Sequence, residues 1–139
     1  MDRDAYLPAL RRILDTRTAD VTARLRRVAE VAAGPDAARV QGIVVDVFPD
    51  QDGEGTFDVW ARFEGPDFFV LNKPIDDVRH LFGVVHTEDG LEPAVPEPDG
   101  GGTAFDPAEA IVEVVTAWIE EIWVSVGSAV PLEVLHSGD

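Results

Sequence analysis

Leu7, Leu10, Leu14, Val21, Leu25, Val28 and Ala32 recur at steps of three, four or seven, which lays them along one stripe of an α-helix. The spacing predicts a helix over residues 6–33. Asp4 is placed to cap its start, and Pro8 is tolerated in the first turn. Gly34-Pro35 closes it, with the glycine expected in a left-handed C-cap. Asp15-Thr16-Arg17-Thr18 is the weak point, where one long helix can divide into two.

The period then changes to two. Val40 to Phe48 is rich in β-branched residues and reads as a strand covered on at least one face. The cluster Pro49-Asp50-Gln51-Asp52-Gly53-Glu54-Gly55 has the composition of a hairpin connection. From Thr56 to Glu64 the alternation is clean. Phe57, Val59, Ala61 and Phe63 fall on one face, and Asp58, Trp60, Arg62 and Glu64 on the other. After a Gly65-Pro66-Asp67 turn, Phe68 to Lys73 reads as a third strand, which predicts an antiparallel meander. Residues 74–82 read as a short helix opened by Pro74, and residues 83–87 as a fourth strand. The proline- and glycine-rich stretch 91–103 reads as an extended acidic loop.

The final helix has the sharpest signal. Asp106-Pro107-Ala108-Glu109 carries an N-cap, a proline at the first helical position and an acid at the third. Ile111, Val115, Trp118, Ile122 and Val126 form an apolar stripe, broadened by Val112, Ile119 and Trp123, and Gly127 caps the end. Residues 129–136 read as a tail or an edge strand. There is no internal repeat. With 139 residues and 45% hydrophobic content, the chain is expected to be one domain, 1–139. The expected fold is α+β: an antiparallel sheet of four to five strands, with a long N-terminal and a long C-terminal helix packed on one face.

Charge changes this picture. The net charge is −16, but its distribution is uneven: residues 1–40 hold eight arginines against six acids, and the rest holds Arg62, Lys73 and Arg79 against twenty-one acids. Such a surface repels nucleic-acid phosphates and anionic lipid, and it favours a basic protein partner. The absence of cysteine excludes disulfides, thiolate metal sites and a cysteine nucleophile. No apolar stretch is long enough for a membrane span, and Met1-Asp2-Arg3-Asp4 does not open a signal peptide; a cytoplasmic location is expected.

Candidate chemistry is sparse. Asp50, Asp52, Glu54 and Asp58 occupy positions one, three, five and nine of an EF-hand-like loop, with Gly55 at six. A calcium ion is the cofactor this pattern fits. However, Ala61 stands where the bidentate glutamate belongs, and an acidic turn needs the same letters for conformational reasons. His80 and His86 match no zinc spacing, and no Ser-His-Asp arrangement, phosphate-binding loop or HExxH motif occurs. No catalytic residue is identified. Trp60, flanked by Asp58 and Arg62, marks an interface if its strand face is open; a helix covering that face is the alternative.

The run from Phe48 to Ile75, with Leu81-Phe82, His86 to Leu91 and the Trp118–Trp123 helix, resembles a family of uncharacterised small acidic actinobacterial proteins. That resemblance implies an independently folding unit and carries over no catalytic residue. In class rather than motif, the chain is similar to bacterial immunity proteins that neutralise toxins. Docking a basic protein is the leading expectation. A small metal-binding protein or enzyme using the 50–58 turn, and a homo-oligomeric structural module, are the alternatives.

Overall fold

The computed structural model describes residues 3–34, 39–49, 55–96 and 105–136. Helices α1 (Arg3–Asp15) and α2 (Thr18–Ala32) lead into strands β1 (Gly42–Pro49) and β2 (Phe57–Glu64). A short helix α3 (Phe68–Asn72) and a 3-10 turn (Lys73–Ile75) precede β3 (His80–Thr87) and β4 (Gly90–Glu92). Helix α4 (Pro107–Val126) and strand β5 (Leu132–His136) follow. The sheet order is β4-β3-β2-β1-β5.

The N-terminal helix is two helices rather than one. Thr16 turns its hydroxyl back onto the Ile13 carbonyl at 2.6 Å, and its N–H meets the same oxygen at 3.1 Å. A hydroxyl that competes for backbone groups in this way favours a helix end over a helix interior. Leu14 and Val21 are both fully buried across the break, so the apolar stripe survives the change of direction. Asp4 lies inside the first turn of α1, since the helix already begins at Arg3. Gly34 does not take the expected left-handed form. The helix winds down through Ala33, which stays right-handed and donates to the Ala29 and Glu30 carbonyls.

The sheet is mixed rather than antiparallel. β1 with β2, β2 with β3 and β3 with β4 run antiparallel, whereas β5 lies parallel to β1, with Val45 opposite Val134. α4 stands between β4 at one edge of the sheet and β5 at the other, and β5 runs opposite to β4 and alongside β1. The α4 caps agree with expectation: the Asp106 carboxylate accepts from the Ala108 N–H at 3.0 Å, and Gly127 is left-handed at φ 73°.

The main departure lies between β2 and β3. Phe68 to Asn72 is helical and not a strand, while residues 80–87 form one continuous strand where a helix was expected as far as 82. Buried Asn72 explains the first difference. Its amide receives the Phe63 N–H at 2.7 Å and donates to the Phe63 carbonyl at 3.3 Å and the Phe68 carbonyl at 2.9 Å. A side chain thus does for the end of β2 what a neighbouring strand would otherwise do. Of the expected acidic loop, Leu91 and Glu92 belong to β4, and residues 97–104 lie outside the described residues.

Tyr6, Leu10, Leu14, Val21, Leu25 and Val28 from the first two helices, with Ile111, Val115, Trp118 and Ile119 from α4, pack on Ile43, Val45, Val47, Phe57, Val59, Ala61 and Phe63. Every one of these sheet residues is at an odd-numbered position of β1 or β2, so the helices cover one face. The Trp118 indole N–H is satisfied by the Thr18 hydroxyl at 2.9 Å, joining α4 to the start of α2.

Candidate functional site

The even-numbered positions of β1 and β2 define the opposite face, and among the described residues no helix lies over it. Phe48, Trp60, Val85 and Leu135 are four of the large apolar side chains left exposed in the molecule, and the strand alternation puts all four here. Trp60 retains 37% of its accessible surface, whereas Trp118 on the covered side retains 1%. The open alternative for Trp60 is therefore the one the fold adopts.

An irregularity in β3 builds the centre of this face. Val59 pairs with Phe82 and Trp60 with His80, so Leu81 is an extra residue in the ladder. A bulge re-aims the side chains that flank it. Leu81 becomes buried, and His80 comes to lie beside Trp60 with ring centroids 4.5 Å apart. The His80 Nε2 stands 2.9 Å from the Asp58 carboxylate. Gly83, opposite Asp58, leaves the necessary space: a Cβ there would come within 2.6 Å of the Asp58 oxygen and 2.8 Å of His80 Nε2.

The charges on this face are mostly matched. Arg62 donates to Asp46 across the strand pair at 2.8 Å and to Glu64 along its own strand at 3.0 Å. The hydrogen bond with Asp46 is the main reason its guanidinium is held above the ordinary range, against the opposing effect of desolvation. Arg79 places its guanidinium 5.9 Å from the Trp60 ring centroid and 5.5 Å from that of Phe68, within cation–π range of both. Arg79 also anchors the strand end, donating from Nε to the Ala61 carbonyl at 3.0 Å. Val44 lies among these residues, opposite Arg62 and beside Glu133, and is 3% exposed.

The expected interface residues Asp58, Trp60 and Arg62 thus share one surface. Sequence reading missed Asp46, His80, Arg79, Phe48, Val85 and Leu135 as members of it. Phe48 and Asp46 follow from extending the period-two count back along β1. His80 does not, because the bulge shifts the count. Of the calcium pattern, Asp50, Asp52 and Glu54 lie outside the described residues, and Asp58 is engaged with His80. Among the described residues, no three His, Asp or Glu side chains come together to hold a metal ion. Among the described residues, no helix is long and apolar enough to cross a membrane.

The Arg-rich start of the chain is less separate from the acidic remainder than the sequence implies. Arg3 pairs with Glu113, and Arg11 makes a two-pronged contact with Glu121 at 2.8 and 3.0 Å. The hydrogen bonds from Arg11 hold the Glu121 carboxyl below its usual range. Two arginines of α1 are therefore spent on joining it to α4.

Fold and surface together define a two-layer α+β protein with one sheet face covered by helices and one that, among the described residues, no helix covers. The chain belongs to a family of unknown function, DUF6389, whose family model matches residues 1–138. No curated protein and no solved structure matches it.

Proposed function

We propose that the protein is a binding module whose uncovered sheet face, centred on Trp60, docks a basic protein partner. The observation that carries this reading is the placement of Phe48, Trp60, Val85 and Leu135 on a face without a helix, where an aromatic anchor supplies affinity. The net charge of −16 supplies the long-range attraction that selects a cationic partner and speeds encounter. Because Asp46 and Glu64 are paired with Arg62 and Asp58 is engaged with His80, the steering falls to acids around the face, such as Glu88, Asp89, Glu92 and Glu133, all of them exposed. Inhibition of a basic toxin by occlusion is one activity that such a surface performs.

The test is a photo-crosslinking amino acid at Val85 in the full chain, compared with and without Trp60→Ala. The expected result is a basic protein captured at Val85, with capture reduced at least about tenfold by Trp60→Ala and weakened by salt. Capture of acidic proteins, or capture indifferent to both Trp60 and salt, would reject the proposal.

A further inference from the structure

The two edges of the sheet are built differently. β4 is three residues long and is followed at once by Pro93, two devices that keep a strand edge from recruiting another chain. β5, at the other edge, has neither. It pairs with β1 over five residues without a shift in register, and no proline, lysine or arginine lies within it. Among the described residues, no strand pairs with its outer side.

The register fixes which main-chain groups are left there. The Ile43 N–H donates to the Pro131 carbonyl at 2.9 Å, and Ile43 lies opposite Leu132. In a parallel pair a residue bonds to the two that flank its opposite number. The Pro131 carbonyl and the main-chain groups of Glu133 and Leu135 therefore turn to β1, whereas Leu132 and Val134 turn theirs outward. Each of these two offers one N–H and one C=O beyond the sheet. Extended peptides are held on sheet edges by main-chain bonds of this kind. Charge then selects the occupant, since residues 80–139 contain no lysine or arginine. Of the acids on α4, Arg3 takes up Glu113 and Arg11 takes up Glu121. The Trp123 indole marks the side of α4 toward β5, donating to the Val130 carbonyl at 3.2 Å, and Glu120 lies about 60° from Trp123 round the helix. Glu120, and Glu133 within β5, are exposed and form no ion pair among the described residues.

We infer that an extended cationic segment of the partner adds to β5 as an antiparallel sixth strand, bonded to the main chain of Leu132 and Val134. Strand alternation sets its pattern. Residues opposite Leu132 and Val134 point to the helix side, where those two are half-buried against the core, and suit apolar side chains. The residue between them lies beside Glu133 and suits a lysine or arginine. The inference rests on the docking reading for the sign of the partner's charge, and it names how that partner is held. β5 also carries Leu135 of the uncovered face, so a strand added here widens the surface centred on Trp60.

The probe is the synthetic peptide Thr-Lys-Val-Lys-Val-Lys-Thr, blocked at both ends and titrated to about 1 mM against the full chain. Amide resonances and hydrogen exchange follow it. The expected result is saturable binding, with the Leu132 and Val134 amides the most shifted and newly protected from exchange. N-methylation of the two valines removes the donors that pair with β5 and keeps the charge, and it weakens binding at least about tenfold. Replacing the lysines by glutamates does the same. Val134→Pro takes a donor from the outer side and none from the β1 ladder, so the chain still folds and no longer holds the peptide. No binding, shifts spread over the acidic surface, or equal binding of the N-methylated or glutamate peptide would overturn the inference. So would protection of Leu132 and Val134 that appears without peptide as the chain is concentrated, because the occupant is then a second copy. Trp60→Ala leaves peptide binding intact, so failure of the docking proposal is read separately, at Val85.

Discussion

Phe57, Val59, Ala61 and Phe63 share strand β2 with Asp58, Trp60, Arg62 and Glu64, yet the two sets serve opposite ends. The first four are at most 1% exposed under three helices. Each phenylalanine or valine so buried contributes roughly 1.5–3 kcal/mol to folding. The second four face outward, their polar groups engaged with one another and with Asp46 and His80 around a tryptophan that keeps more than a third of its surface in solvent. A two-residue period lets one strand anchor the fold with one face and offer a contact with the other. Substitutions on the two faces are therefore expected to separate stability from binding.

The largest effect falls on the covered face. Trp118→Ala removes a ring that packs edge-on against Phe82 at 5.8 Å and leaves the Thr18 hydroxyl without its donor. The expected loss is about 3–5 kcal/mol in chemical denaturation. Trp60→Ala, the same change on the open face, costs less than about 1 kcal/mol, mainly its contacts with His80 and Arg79. Equal losses for the two would mean that the faces do not differ in the way the fold implies.

Asn72→Ala comes next. It leaves the Phe63 N–H and carbonyl unpaired at the end of β2, inside the protein, for an expected loss of about 1–3 kcal/mol. Hydrogen exchange at Phe63 is the sharper readout, since protection lost there and kept at Val59 assigns the effect to the strand end. Gly83→Ala is smaller, about 1 kcal/mol, because the atoms in its way are the tips of Asp58 and His80 side chains that can turn aside. Its mark is the broken Asp58–His80 contact, visible as a changed His80 ring resonance with the rest of the spectrum preserved.

These substitutions also show how much was legible beforehand. The α4 helix, its caps and the alternation of β2 follow from local chemistry, so spacing alone revealed them. Phe68-Phe69-Val70 did not, because aromatic and β-branched residues favour strands, and only the remote bond between Asn72 and Phe63 shows why the chain coils there. The parallel pairing of β5 was equally hidden, since an alternating pattern carries no strand direction. Trp60 and its two neighbours were within reach as a candidate contact. His80 was not, because a one-residue bulge moves it to the other face.

The smallest expected effect concerns a buried polar atom on the covered side, the Tyr6 hydroxyl. Tyr6 is fully buried against Phe105, and among the described residues its hydroxyl has no hydrogen-bond partner. Tyr6→Phe removes a desolvated group that gains nothing in return, so stability near neutral pH is unchanged or slightly raised. The difference appears in alkali. Burial pushes the phenol up to about 12, while in the unfolded chain it ionises near 10. Between those values the folded state holds a proton that the unfolded state has released, so this contribution is complete below about pH 10. It then falls by at most about 1.4 kcal/mol per pH unit as pH rises through that window. Tyr6→Phe abolishes that slope and leaves every other alkaline effect in place, so the two stability curves diverge above pH 10 in the variant's favour. The chain contains a single tyrosine, so ultraviolet absorbance of the phenolate follows the same group without ambiguity. A phenol that titrates near 10 in the folded protein would mean that water reaches Tyr6, and that the covered face is less sealed than its packing implies.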